Sequence, residues 1–399
     1  MSRHTPFHPR TSAASESGLW SHWAGFLAAD RYLMSDKFEY FAIRNSAGVF
    51  DTSPLFKYRI YGRDAERYLA GVLTRDIRRC HPGQAQYTVW SDDDGWVIED
   101  GVVLRLSADE FLLTAARSNL AYLDGLTTGM AVEVEDVSEA YGALALQGPR
   151  AREILAQIAP EVEDLGYLRV TSAKIGTAGV TISRTGYTGD LGYEIWVAPD
   201  DALDVWDRLF EAATPHGAIP VGQSALLITR IEAGLLLIDV DFHSARYAWN
   251  DDQRASIVEL GLGWMLSDLG EDDRAFIGRK AIEREMSQKT SRWKTVGLVV
   301  DWEHWAKTHN DHGLVTPKDH TPVHGGMMVY DERVERIGYV PSFVYSPVLQ
   351  QHIGIARIRP EHAEPAMLVG LEVTIDHRYE VVDSQVTRLP FFDPPRRTA

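Results

Sequence analysis

The feature that most constrains this chain is a change of periodicity near residue 290. Before it, segments with helical spacing alternate with segments of strand character. After Trp293 only short alternating runs remain: Thr295 to Val300, Met327 to Tyr330, Arg336 to Val340, Ile353 to Ile358 and Leu371 to Ile375. Alternation of period two favours half-buried strands, and several of them separated by turn residues favour a small barrel or sandwich. The chain therefore reads as an α+β body followed by a β domain, with 399 residues supplying enough apolar surface for more than one core. Boundaries are expected at an N-terminal arm over 1–35, which carries polar, Pro- and Ser-containing sequence without an apolar leader core, a main body over 36–285, and a β domain over 293–399. Residues 280–292 read as a charged linker, and Trp302 to Gly325, which shows little periodicity, as a surface loop.

Charge excludes some functions. The formal net charge of −17 opposes association with nucleic acid or anionic membranes, and no basic run exceeds two residues. Cys80 is the only cysteine, so no internal disulfide can form, and a reducing, cytoplasmic compartment is expected.

Within the first body, Phe56 to Tyr61 reads as a strand and Asp64 to Leu73 as an amphipathic helix. Tyr87 to Trp90 and Val97 to Leu106 read as a hairpin closed at Asp94-Gly95. Along Val97 to Leu106, Ile98, Asp100, Val102 and Leu104 share one face, and Glu99, Gly101, Val103 and Arg105 the other. Asp100 is thus in phase with the apolar face. A buried carboxylate requires a partner or a shifted pKa, which marks Asp100 as either a structural ion-pair member or a functional group. The acidic run Asp92-Asp93-Asp94-Gly95 lacks the alternate spacing and distal Glu of a calcium loop.

A second signal is Arg184-Thr185-Gly186-Tyr187-Thr188-Gly189-Asp190-Leu191-Gly192-Tyr193-Glu194, with glycine at every third position. It leads into a strand and not a helix, which argues against a dinucleotide fingerprint. Tyr187 can lie beside a flat ligand, and Glu194 can accept paired N–H donors; an ordinary tight hairpin fits the pattern equally. His304, His309, His312, His320 and His324 crowd one stretch, some at ligand-like spacing, but no cysteine accompanies them and no metal is expected.

In order along the chain, Ala47 to Asp51, Pro82 to Thr88, Leu144 to Pro149, Ser183 to Glu194, Arg230 to Leu235, Phe276 to Gly278 and Phe343 to Pro347 resemble the glycine-cleavage T-protein (aminomethyltransferase) family. The likeness spans about residues 40 to 392. It implies two interwoven ferredoxin-like α/β lobes around a folate pocket, a C-terminal β-barrel, and tetrahydrofolate as cofactor. Carried over position by position, it implies Asp100 as the catalytic carboxylate near the reactive folate nitrogens. Tyr87 and Tyr187 then line the pocket, Glu194 anchors the pterin edge, Arg230 supplies a basic pocket residue, Trp264 stands in the wall, and Arg396 lies near a tail arginine of the family.

The sequence departs from the family pattern at Thr52 to Lys57, at Glu99-Asp100 in place of paired aspartates, at Ser224-Ala225-Leu226, and from Leu235 through Tyr247. These places fall where a donor should differ. The resemblance therefore implies a folate-dependent demethylase that takes a methyl group from a small sulfonium, aromatic methyl ether or methylated amine, with Phe56, Tyr58, His243 and Tyr247 lining the donor pocket. The alternatives are aminomethyl transfer from a lipoyl carrier protein, and folate binding without chemistry. An RNA-linked branch of the superfamily carries Lys-Gly-Cys in the glycine-rich turn; this chain has Arg184-Thr185-Gly186.

Overall fold

The computed structural model describes residues 2–267, 269–271 and 273–399. The first body holds two sheets built from interleaved stretches of chain. Gly48–Asp51 enters a six-stranded sheet. The chain then crosses to build a five-stranded antiparallel sheet in the order Gln84–Ser91, Val97–Arg105, Glu110–Ala115, Phe56–Tyr61, Glu133–Asp136. It returns with Gly142–Gln147, Val170–Ile175, Ala178–Ser183 and Gly192–Val197 to complete the first sheet, whose last edge is Ile219–Pro220, parallel to Gly48–Asp51. The five-stranded sheet is contiguous over 56–136 and is inserted between Gly48–Asp51 and the remaining strands of the six-stranded sheet, which is the physical sense in which the two lobes are interwoven.

Lys294–Val300, Gln351–Ile358, Arg336–Ser346, Val323–Tyr330, Leu368–Ile375 and Arg378–Thr387 close into a six-stranded barrel, so this domain leaves no open sheet edge. Each lobe and the barrel has its own apolar core. A further cluster takes Tyr40, Phe50, Val89, Ala145, Ile228, Val344 and Ile353 from all three and fixes the barrel against the lobes. The helix Gln223–Glu232 sits at that junction. Its Glu232 carboxylate accepts from the Tyr40 hydroxyl at 2.6 Å, from Arg44 Nε at 2.9 Å, and from the Ser346 hydroxyl of the barrel at 2.5 Å.

Three expectations fail here. Residues 2–35 are not a flexible arm. They form the helix His8–Ala14 and the hairpin Leu19–Trp23/Phe26–Arg31; Phe7 is fully buried 6.1 Å from the Trp206 ring, and the Thr5 hydroxyl donates to Asp51 at 2.5 Å. Scattered single anchors of this kind carry no periodicity for sequence reading to detect. The linker over 280–292 is largely the helix Arg279–Gln288, seated through one buried residue, Ile282. Trp302 to Gly325 opens with the helix Trp302–Asp311, capped by Asp301, whose carboxylate accepts from the His304 amide at 2.7 Å. Its buried face is Trp305, Thr308 and His309, of which only Trp305 is apolar, too few to set an apolar period.

Four of the five histidines take separate partners. His304 meets Asp383 at 3.0 Å, His312 meets Glu380 at 2.9 Å, His320 meets Asp36 at 2.8 Å, and His309 Nδ1 lies 2.8 Å from the Trp305 carbonyl. Among the described residues no group of three or more His, Cys, Asp or Glu is arranged to hold a metal ion, and no helix is long and apolar enough to cross a membrane.

Candidate active site at the junction of the lobes and the barrel

Pairing in the five-stranded sheet sets Val102 opposite Tyr87 and Asp100 opposite Val89, so all four share one face. Tyr87 reaches diagonally and donates its hydroxyl to Asp100 Oδ2 at 2.8 Å. The period-two reading of this strand gives that face correctly. The opposite face is not solvated, however, because the sheet is covered on both sides: Glu99 is fully buried and accepts from the amide of Arg117 at 3.1 Å and from Asn119 Nδ2 at 3.4 Å. Two adjacent carboxyls in a low-dielectric site cannot both ionise freely. Burial, then the neighbouring Asp100 charge, pushes Glu99 well up. Burial also pushes Asp100 up, and the Tyr87 hydroxyl pulls it back towards ionisation.

The second lobe contributes the glycine-rich turn, and the structure explains its spacing. A Cβ on Gly186 or Gly192 would come within 1.9 or 2.2 Å of Gln147 Oε1, and a Cβ on Gly189 within 2.4 Å of the Ala233 Cβ. The glycines are there so that the turn can close over the buried Gln147 amide, which donates to the Thr185 carbonyl at 3.2 Å and accepts from the Thr188 hydroxyl at 3.1 Å. This holds Tyr187 half-buried with its hydroxyl donating to the Leu236 carbonyl. Burial raises the Tyr187 phenol far above its usual range, with smaller effects from the charges of Arg230, Asp100 and Asp241. Glu194 is half-buried on the strand that follows. Its Oε2 accepts from the Thr185 hydroxyl, and Oε1 accepts no hydrogen bond from the described residues.

The barrel supplies Ser342. Arg230 donates from Nη1 to Asp241 Oδ2 at 2.6 Å and from Nη2 to the Ser342 hydroxyl at 2.7 Å, and Ser342 donates to Asp241 Oδ1 at 2.6 Å. The Arg230 side chain is 0% exposed and Asp241 1%. The expectation that Arg230 offers charge to a ligand is thus corrected: its charge is consumed by Asp241, and the pair, through Ser342, fastens the barrel to the lobe.

The other assignments divide. Arg396 binds Asp190 at 2.7 and 2.9 Å and holds the tail against the glycine-rich turn. Trp264 is half-exposed, with the Arg75 guanidinium 5.0 Å from its ring. Tyr58 is corrected from donor pocket to core: it is fully buried among the apolar residues of the five-stranded lobe, and its hydroxyl accepts from the Asn119 amide at 2.7 Å. Phe56 packs against the same core. Tyr247 is 59% exposed beside Arg246. His243 Nδ1 lies 3.6 Å from Asp239, which also binds Arg117. Reading by residue type missed Gln147, Asp241 and Ser342. The first and last lie in or beside stretches of family likeness, but their roles are set by partners distant in sequence.

A cavity of about 150 Å³ opens beside the turn, lined by Thr185, Gly186, Gly192, Leu235 and Phe392 among others.

Comparison with known proteins agrees with this architecture. The GCVT N-terminal domain matches residues 11–267, and the glycine cleavage T-protein C-terminal barrel domain matches residues 312–393. The aminomethyltransferase of Halothermothrix orenii is 32% identical over 357 residues, covering 88% of this chain and 90% of that protein. The aminomethyltransferase of Halalkalibacterium halodurans is 31% identical over 364 residues, covering 90% of each. The crystal structure of glycine cleavage system aminomethyltransferase T from Bartonella henselae superposes with a TM-score of 0.82 at 22% identity, covering 98% of this chain and 99% of that one, a likeness of fold. The sequence match over nearly the full length, with both domains in order, makes this chain an enzyme of the transferase class that belongs to the glycine-cleavage T-protein family.

Proposed function

We propose that the chain transfers a one-carbon unit to tetrahydrofolate, and that the donor is an aminomethyl group carried on the lipoyl arm of a partner protein. The donor assignment departs from the demethylase expected from the sequence, because the curated relatives at about 30% identity are aminomethyltransferases. The observation that carries the reading is the Tyr87–Asp100 pair, a carboxyl held by a phenol on one face of the five-stranded sheet.

The residues present suit a reduced folate. Glu194 offers an open Oε1 to adjacent N–H donors of a heterocycle, and Tyr87 and Tyr187 offer aromatic faces. When bound, tetrahydrofolate supplies the nucleophilic nitrogen. Glu194 would hold the ring edge of the folate and so restrict its orientation in the site. Asp100 would stabilise cationic charge on the donor carbon and accept a proton released by the folate nitrogens, as that carbon exchanges its bonds to the lipoyl sulfur and to the amino group for two carbon–nitrogen bonds to the folate, with ammonia and the lipoyl thiol leaving. Tyr87 keeps Asp100 oriented and in its basic form.

Demethylation of a small methylated compound stays as a second reading on one observation. Asp239, in the passage that departs from the family pattern, adopts φ 66° and binds Arg117 while facing His243. A non-glycine residue in that conformation is held there at a cost and is enriched at functional sites.

The test is turnover of anaerobic tetrahydrofolate with aminomethyl-lipoyl carrier protein or with a panel of methyl sulfonium, methyl ether and methylamine donors, with folate products separated by chromatography. Methylenetetrahydrofolate from the carrier protein supports the first reading. Methyltetrahydrofolate from a small donor supports the second. Folate binding without either product overturns both and leaves a folate-binding protein.

A further inference from the structure

Glu194 is the end of a buried hydrogen-bond relay that the proposed chemistry does not use. The Trp196 indole N–H donates to the Ser183 hydroxyl at 3.5 Å, the Ser183 and Thr185 hydroxyls lie 2.7 Å apart, and the Thr185 hydroxyl donates to Glu194 Oε2. An indole N–H can only donate and an ionised carboxylate can only accept. The two ends therefore fix the direction of both hydroxyl protons between them: Ser183 donates to Thr185, and Thr185 to Glu194. Ser183, Thr185 and Trp196 are all buried.

The sheet sets the relay in place. Ser183 pairs with Glu194 across adjacent strands, and Trp196 lies two residues beyond Glu194 on the same face. The backbone of Thr185 is pinned by Gln147. Behind the relay, the buried Lys57 ammonium sits 5.8 Å from the centroid of the Trp196 ring and donates to the carbonyls of Ser53 and Leu55, each at 2.7 Å. Burial pushes the Glu194 carboxyl up, and the Thr185 hydroxyl and then the Lys57 charge pull it back towards the ionised form.

We infer that Thr185, backed by Ser183 and Trp196, is a positioning residue for folate recognition: it ties Glu194 Oε2 inward so that Oε1 is presented, ionised and in one rotamer, to the N–H edge of the ligand. This rests on the reading that Glu194 accepts those N–H groups. Free rotation of the carboxylate would otherwise have to be frozen on binding, and a hydrogen bond made in advance removes that cost.

The experiment measures the Kd of tetrahydrofolate, by quenching of intrinsic tryptophan fluorescence under anaerobic conditions, for wild type, Thr185→Val, Thr185→Ser, Ser183→Ala, Glu194→Gln and the double variant Thr185→Val/Glu194→Gln. Thr185→Val is expected to weaken binding about tenfold, the scale of one hydrogen bond to a charged group. Thr185→Ser restores binding, Ser183→Ala shows a smaller loss of the same sign, and Thr185→Val adds nothing once Glu194 is Gln. The Thr185→Val loss grows from pH 8 to pH 6, since the carboxyl without its donor protonates more readily. Thr185→Val binding like wild type while Glu194→Gln binds weakly overturns the relay alone, and so does Thr185→Ser binding as weakly as Thr185→Val. Glu194→Gln binding like wild type overturns the reading of Glu194, and the relay with it.

Discussion

Asp241→Leu removes one half of an ion pair that has no exposure to water. Arg230 is left with the Ser342 hydroxyl and the Leu235 carbonyl, and the amide of Leu237, which donates to Asp241 at 2.8 Å, loses its acceptor. Breaking a buried pair from one side costs roughly 3–5 kcal/mol, because the remaining charge is stranded in a low-dielectric site. An unfolding entropy of roughly 2 cal/mol/K per residue, spread over a cooperative chain of this size, converts that into a fall in Tm of about 5 °C. Arg230→Met/Asp241→Leu removes both charges and fills their space with apolar atoms, which in buried pairs is often close to neutral. The assay is thermal unfolding by circular dichroism for the two single variants and the double. The double is expected to melt above Asp241→Leu and near wild type. A double variant that falls by the sum of the singles refutes the argument, since the pair would then be worth more than the desolvation of its members.

Three further outcomes follow from the site. Asp100→Asn keeps the shape of the carboxyl and loses its basicity; turnover should drop by roughly 10²–10⁴ with tetrahydrofolate still binding and Tm nearly unchanged, read by product formation and fluorescence titration. Tyr87→Phe removes the donor that pulls the Asp100 carboxyl down. The folded pKa of Asp100 then rises, so the acid limb of the kcat profile should move to higher pH, and a limb that stays in place removes Asp100 from the role of base. His320 links the segment before the barrel strand Val323–Tyr330 to Asp36 at the start of the helix Asp36–Asn45. The Asp36 carboxylate raises the His320 pKa, and that imidazole helps to hold Asp36 below its usual range. The stabilisation is therefore complete below the unfolded histidine pKa and fades as pH rises through the raised folded one; at the acid end it fades as pH falls through the lowered Asp36 pKa. His320→Gln should cost up to about 1 kcal/mol near pH 6, given the partial exposure of the pair, and less near pH 9, as measured by urea unfolding at both values.

Much of the framework is legible in the sequence because it rests on local periodicity. Phe56–Tyr61 and the strands of the barrel other than Arg378–Thr387 alternate visibly, and the face of Val97–Arg105 that carries Asp100 follows from the period of two alone. The glycines of the turn mark a close approach before the thing approached is known. What no local pattern contains is the identity of partners brought together from afar. Arg230 reads as a pocket cation until Asp241 and Ser342 are seen to neutralise and bind it. Tyr58 reads as a pocket aromatic until the sheet turns it into its own core. Residues 2–35 read as an arm because their anchors, Phe7 and Thr5, are single contacts without a period. The sequence by itself determined the classes of element, the family, and which carboxylate lies on an apolar face, because each depends on residue type and spacing along one segment. The tertiary structure alone decided which charges remain available to a ligand, because availability depends on every group within a few ångströms, and those groups arrive from three separate bodies of the fold.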